Sequence, residues 1–234
     1  MDLDPVQSRL VWRRAHRSIV NATRKWGKTS TTAGSALHEG AYVDGSKTVI
    51  VAPTLRQSSI LLDSVAEYAE VAKIRAGALK GEDPGLVLPA GVVLALPGNE
   101  ATTRGHKGVT WLVVDEASRV SDAMWRSVQA FLANTNGRIS LMSTPYGRRG
   151  FFWREHERAE AGVPRGDVYW ELTRVTAAEC PRISAEFLAE QKATQPAWWF
   201  LQEYCCEFVE TESAVFGRDL VMGAMDDSVE ELRL

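Results

Sequence analysis

Ile19-Val20-Asn21-Ala22-Thr23-Arg24-Lys25-Trp26-Gly27-Lys28-Thr29-Ser30 is the stretch on which the reading of this chain turns. A short β-branched run leads into Gly-Lys-Thr, and a helix-compatible segment follows from Ser30 to about Gly40. Strand, tight loop and helix, in that order, are the layout of a phosphate-binding loop. Unpaired N–H groups at the helix start face an anion, and the helix dipole adds to the attraction. Gly27 lets the backbone approach phosphates, Lys28 reaches the outer ones, the Thr29 hydroxyl suits magnesium, and Ser30 opens the helix. The full pattern G-x-x-x-x-G-K-[ST] wants a glycine at position 22, where this chain has Ala22. Read alone, Gly-Lys-Thr is more often an ordinary loop with a charged tip.

A second stretch changes that balance. Val109-Thr110-Trp111-Leu112-Val113-Val114-Asp115-Glu116-Ala117-Ser118 is an apolar strand ending in two adjacent carboxylates. Successive strand residues point to opposite faces. At a strand's C-terminal end, however, the second carboxylate can turn into the crevice where ligands bind in open α/β sheets. Asp115 would then hold a magnesium-bound water, and Glu116 would polarise the attacking water as general base. The plain alternative is a helix cap with a solvated neighbour. The pairing with Gly-Lys-Thr favours the nucleotide reading.

Ser46 to Thr54 is a β-branched run ending at Pro53, and Leu55 to about Ile74 follows as an amphipathic helix, with Ile60, Leu61, Val65, Tyr68 and Val71 near helical spacing. Gly85 to Pro97 reads as a hairpin on the sheet's edge. Arg138 to Pro145 is a further strand ending in Ser143-Thr144. These can sit beside a γ-phosphate and sense it, or merely mark a strand exit stopped by Pro145. Asp167 to Val175 reads as another strand. Helices follow at about Ser184 to Thr194 and Pro196 to Phe208, the latter strongly aromatic and read as core-covering ahead of a DNA-stacking surface. Strands alternating with helices imply an α/β fold with a doubly wound, mainly parallel sheet and helices on both faces.

At the N-terminus, Asp4 caps a helix to about Ala15, with Pro5 at its first position and Gln7 at its third. Gln7 either closes a capping box or hydrogen-bonds both edges of an adenine.

Composition narrows the classes. The net charge of -3 excludes an autonomous basic nucleic-acid-binding module, so any DNA contact is local or shared among subunits. Cys180, Cys205 and Cys206 lack metal spacing and read as reduced cytosolic thiols. The longest apolar run, Leu86 to Pro97, is too short to span a membrane, and the first residues are no signal peptide.

Together these motifs resemble the ATPase half of the large terminase subunit of tailed bacteriophages, the motor that packages DNA into capsids. Thr23 to Thr29 looks like that family's variant phosphate loop, in which an early arginine, here Arg24, replaces the usual glycine-rich start. Thr103-Arg104-Gly105 is similar to its Arg-Gly element, Ser143-Thr144-Pro145 to its coupling motif, and Gln7 to its adenine-contacting glutamine. Glu203-Tyr204 through Glu207-Phe208 and Ala214-Val215-Phe216 resemble the segment that closes this domain. The resemblance implies a P-loop NTPase of RecA-like type over residues 1–208 and a linker over 209–234. It implies ATP and magnesium as cofactors and double-stranded DNA, a portal protein and a small terminase subunit as partners. The expected assembly is a homo-oligomeric ring, a pentamer, docked transiently on the procapsid in the host cytoplasm. Family members usually continue into a nuclease domain, so here that domain is either removed or carried by another polypeptide. Arg24 is expected to stabilise phosphoryl charge within its own subunit and Arg104 across a subunit interface, the plain reading of Arg104 being a surface cation. Two other classes share parts of the pattern. A superfamily 2 helicase would need a second RecA-like domain, and a non-catalytic nucleotide-binding scaffold would release no phosphate.

Overall fold

The structure, a computed structural model, describes residues 3–98, 105–164 and 166–210. Among these, eight strands form one sheet: β1 (Arg17–Ala22), β2 (Ser46–Ala52), β3 (Gly77–Ala78), β4 (Gly85–Val87), β5 (Gly91–Pro97), β6 (Trp111–Asp115), β7 (Arg138–Ser143) and β8 (Glu171–Val175). Their order is β3-β4-β5-β2-β6-β7-β1-β8. From β5 to β8 every pairing is parallel, and only β3, β4 and β5 pair antiparallel. The sheet is the doubly wound, mainly parallel one that alternating strands and helices demand.

Two expectations about its margins need correction. β5 is not at an edge: its far side pairs with β2 over seven residues, from Ser46 opposite Gly91 to Ala52 opposite Pro97. Alternation interrupted by Pro89 resembles an edge hairpin, yet Val93 to Leu96 are buried, as an interior strand requires. The aromatic C-terminal helix is also shorter than expected and stops at Glu203.

Seven α-helices among the described residues cover the sheet: α1 (Pro5–Arg13), α2 (Lys28–Tyr42), α3 (Leu55–Val71), α4 (Asp122–Gln129), α5 (Gly150–Glu160), α6 (Ala185–Thr194) and α7 (Ala197–Glu203). Strand residues alternate between two cores. Val20, Ile50 and Val113 pack with Ala33 of α2 and Leu61 and Val65 of α3. Ile19, Val49, Val51, Leu112 and Val114 pack on the other side with Met124 and Trp125 of α4 and Phe151 and Phe152 of α5. Each fully buried aliphatic side chain contributes about 1.5–3 kcal/mol relative to exposure, so this sandwich makes a rigid base for the strand ends. Ile60 and Val71, expected on the buried face of α3, are 53% and 79% exposed. The buried stripe is Ser58, Leu61, Leu62, Val65 and Ala69, a narrower arc than the apolar residues alone suggest.

The helix starts follow their caps. Asp4 Oδ1 accepts from the N–H groups of Val6 and Gln7, and Gln7 Oε1 accepts from Asp4 N at 3.1 Å, a complete capping box. Thr54 and Gln57 do the same for α3. At the opposite end of the sheet from the phosphate loop, buried Glu39 of α2 pairs with both Arg14 and Arg138, tying α2 to the start of β7.

Candidate active site

β1 ends at Ala22, and five residues separate it from α2, which starts at Lys28. The loop reverses through two left-handed residues, Lys25 at φ 63° and Gly27 at φ 100°. A Cβ on Gly27 would lie 2.8 Å from Gln7 Nε2, so both conformation and space require glycine there. Gln7 is 1% exposed and donates from Nε2 to the Trp26 carbonyl at 2.7 Å. Arg182 reaches the same carbonyl and pairs with Asp4 at 3.0 Å. The loop is thus pinned from α1 and from the segment before α6. In this arrangement Gln7 serves both of its side-chain ends within the protein, as cap and as loop anchor.

Lys28 bends back over the strand end and donates to the carbonyls of Ala22 at 2.6 Å and Thr23 at 3.1 Å. Burial lowers its pKa, and the charges of Glu116 and Asp115 act in the opposite sense. Thr29 and Ser30 are half-buried in the first turn of α2, and their hydroxyls bond no protein group among the described residues.

β6 delivers the two carboxylates. Asp115 is 8% exposed, and its carboxyl pKa is pushed up to about 6, chiefly by burial and then by the neighbouring Glu116 charge. Oδ1 accepts the Glu116 N–H at 3.0 Å, which offsets part of that rise. Glu116 itself lies at φ 48°, ψ 42°, a left-handed conformation costing a non-glycine residue about 1 kcal/mol or more. That turn breaks the strand's alternation directly after Asp115 and leaves Glu116 half-buried.

Because β7 lies between β6 and β1, its end stands between the acidic pair and the phosphate loop. Ser143 and Thr144 are both buried there. Ser143 Oγ lies 2.7 Å from Ser118 Oγ and accepts the Ser118 N–H at 3.3 Å. Ser118 belongs to the 3-10 turn Ala117–Arg119 that follows Glu116.

Arg24 is exposed at the tip of the loop, and its Nε lies 2.6 Å from Glu203 Oε2 at the end of α7. Glu203 is 1% exposed, and its carbonyl also accepts from Thr23 Oγ1 at 2.9 Å. The end of α7 therefore holds the loop between β1 and α2 directly. Sequence reasoning missed Arg182, and it quoted Ser118 and Glu203 only as parts of the acidic-pair stretch and of the segment that closes the domain, without their contacts to Ser143 and Arg24. Arg104 lies outside the described residues, as do Ala214-Val215-Phe216 and all of 211–234.

No protein-family profile matches the chain. Over 98 residues it is 30% identical to a probable terminase large subunit of Enterobacteria phage P7, a match covering 42% of this chain and 20% of that protein. The ATPase domain of the Thermus phage P74-26 large terminase superimposes with a TM-score of 0.74 at 20% identity, covering 89% of this chain and 94% of that one. The fold is that of a phage large terminase ATPase domain. The large terminase of a second thermophilic bacteriophage, in complex with ADP, has the same fold, with a TM-score of 0.72 and 10% identity over 88% of this chain and 53% of that one. The loop before α2, the Asp115-Glu116 pair and the Ser143-Thr144 strand end all lie at the C-terminal edge of neighbouring parallel strands. The chain matches about a fifth of the length of the phage P7 protein and about half of the ADP-bound terminase.

Proposed function

We propose that this chain is the ATP-hydrolysing motor domain of a viral large terminase, driving double-stranded DNA into a procapsid. One observation carries the reading. The N-terminus of α2, with Lys28 and Thr29, and the Asp115-Glu116 pair lie close together at the C-terminal edge of parallel strands, with the end of β7 between them. Ligands in open α/β sheets bind in the crevice at that edge. The nucleotide-bound terminase of similar fold and the phage P7 relative support the assignment.

The donor set fits magnesium. Asp115 is a hard oxygen ligand whose buried carboxyl lacks a full counter-charge, and the Thr29 hydroxyl is uncommitted among the described residues. Asp115, through water, and Thr29 would hold the ion, which neutralises charge on the phosphate oxygens.

The chain's own groups do the rest. N–H groups of the first turn of α2 and the Lys28 ammonium bind the phosphates. Glu116, turned out of the strand by its left-handed backbone, accepts a proton from the attacking water. Arg24 leaves Glu203 to meet charge spreading over the transferring phosphoryl oxygens, and Arg104 serves a neighbouring subunit's nucleotide in the same way. Gln7 contacts the adenine by exchanging one of its internal bonds. Ser143 and Thr144 sense the γ-phosphate and pass its loss to the Glu116 turn through Ser118. The motor works as a homo-oligomeric ring, a pentamer, on the portal protein, with a small terminase subunit and a nuclease domain on the same or another polypeptide.

The test is phosphate release from ATP, with and without magnesium, in the presence of linear duplex DNA. Magnesium-dependent release that rises with duplex is expected. ATP binding with no release under any condition would make the chain a nucleotide-binding scaffold.

A further inference from the structure

We propose that Arg119, Tyr146 and Arg149 form a contact surface for the phosphate backbone of a nucleic acid duplex. The inference rests on the reading of the chain as a DNA motor and places a DNA contact on its surface. The guanidinium carbon of Arg119 lies 4.0 Å from the centre of the Tyr146 ring, and that of Arg149 lies 5.1 Å away. Both arginines are exposed and the ring is half-buried between them. Among the described residues neither arginine has a carboxylate within 4.0 Å. The acid of the adjoining helix α4, Asp122, is already taken by Phe151 N at 2.7 Å and Arg154 at 2.6 Å. Arg148 is set apart from the pair: its Nε donates to the Phe208 carbonyl at 3.0 Å, beside Glu157, Glu160 and Glu207.

Stacking consumes the face of a guanidinium and leaves its in-plane N–H groups free. Those groups match the oxygens of a phosphate in a two-pronged fashion. A ring that fixes two such forks also lowers the entropy lost on binding. Gly147 at φ 67° and Gly150 at φ 78° shape the loop that carries Arg149 back toward the ring. In a chain of net charge -3, two unpaired, preordered cations on one aromatic are a local exception. A polyanion with regularly spaced phosphates is the partner they fit.

Position ties this surface to the chemistry. Arg119 directly follows Ser118, and Tyr146 lies three residues beyond Ser143. The 2.7 Å bond between Ser118 and Ser143 therefore joins the two arms of the surface at their bases, two residues from Glu116. A shift at the γ-phosphate end of β7 would move the arginines relative to one another.

The experiment is duplex binding by fluorescence anisotropy over a salt series, with phosphate release measured in parallel. The chain is compared with Arg119→Ala/Arg149→Ala and with Arg119→Lys/Arg149→Lys. Loss of two phosphate contacts should lower affinity about tenfold or more, and should flatten the salt slope by about 0.9 for each contact. The lysine variant should keep the slope, while phosphate release without DNA stays at the parent rate in both. An unchanged slope in the alanine variant overturns the proposal, and so does a parent chain that binds no duplex. Loss of DNA-independent hydrolysis would assign the arginines to the nucleotide, and loss of self-association with duplex affinity intact would make them a subunit contact. Either result contradicts the proposal. If the parent binds duplex yet hydrolyses no ATP, the motor reading fails and the salt slope still decides this one.

Discussion

Arg24 Nε stands 2.6 Å from Glu203 Oε2, so an exposed guanidinium of the phosphate loop is held by a carboxylate buried at the end of α7. A second contact, from Arg24 Nη2 to Glu203 Oε1 at 3.4 Å, makes the pair two-pronged. The arginine expected to meet the phosphoryl group is thus engaged by Glu203, and in the proposed reaction it would have to exchange that partner for phosphate.

Glu203→Gln removes the charge and retains the shape. Arg24 is then free, and ATP should bind about 2- to 5-fold more tightly, the scale of a partly exposed ion pair. Titration with a fluorescent ATP analogue measures this. Unchanged affinity would mean that Arg24 does not exchange Glu203 for phosphate.

Lys28→Ala removes the ammonium that the loop bends over its own strand end. A charge-assisted bond to phosphate has no neutral substitute, so magnesium-ATP affinity should fall about tenfold or more. The melting transition should remain cooperative, because the lysine's partners here are strand-end carbonyls rather than core groups. Calorimetry showing parent affinity would remove the phosphate-loop assignment.

Asp115 predicts a pH dependence of stability in metal-free buffer. Its folded pKa of about 6 lies above the ordinary value of 3.8. Between these values the folded chain keeps a proton that the unfolded chain has lost, so this group's contribution falls as pH rises through the window and levels off above it. The penalty at neutral pH is at most about 3 kcal/mol. Asp115→Asn should therefore melt close to the parent near pH 4 and clearly above it at pH 7, in the presence of a chelator. An Asn variant no more stable than the parent at pH 7 would place Asp115 in a more favourable setting than burial implies.

Ser143 and Thr144 are expected to couple chemistry to movement. Replacing both with alanine should leave ATP affinity near the parent value and lower the DNA translocated per ATP in a reconstituted motor. A strand exit without this role predicts only a modest stability change. Parent coupling efficiency in the double variant would support that plainer role.

Much of this architecture is legible in the sequence because local physics determines it. The β-branched runs at 46–52 and 111–115 are apolar on both faces, which only a sheet covered on both sides tolerates. Asp4-Pro5-Val6-Gln7 specifies a helix start down to its individual hydrogen bonds. The position of the candidate site was also readable, since Gly-Lys-Thr and Asp-Glu follow or end apolar strands. What periodicity does not carry is long-range partnership. Arg24 and Glu203 are 179 residues apart, and nothing in either neighbourhood names the other. The Ser118–Ser143 bond likewise depends on β6 and β7 being neighbours, which the order of elements along the chain leaves open. Gln7 shows a further limit. Its carbonyl end closes the helix cap, as one of its two readings had it, while its amide end anchors the loop at the Trp26 carbonyl, a contact that neither reading named.

The central claim is that Glu116 activates water at a nucleotide held by the loop of Lys28. The most direct measurement compares Glu116→Gln with the parent for both magnesium-ATP affinity and single-turnover phosphate release, under conditions of DNA stimulation. The account predicts affinity within a few-fold of the parent and hydrolysis slowed about a hundredfold or more, the scale of a lost general base. Hydrolysis at the parent rate by Glu116→Gln would contradict it.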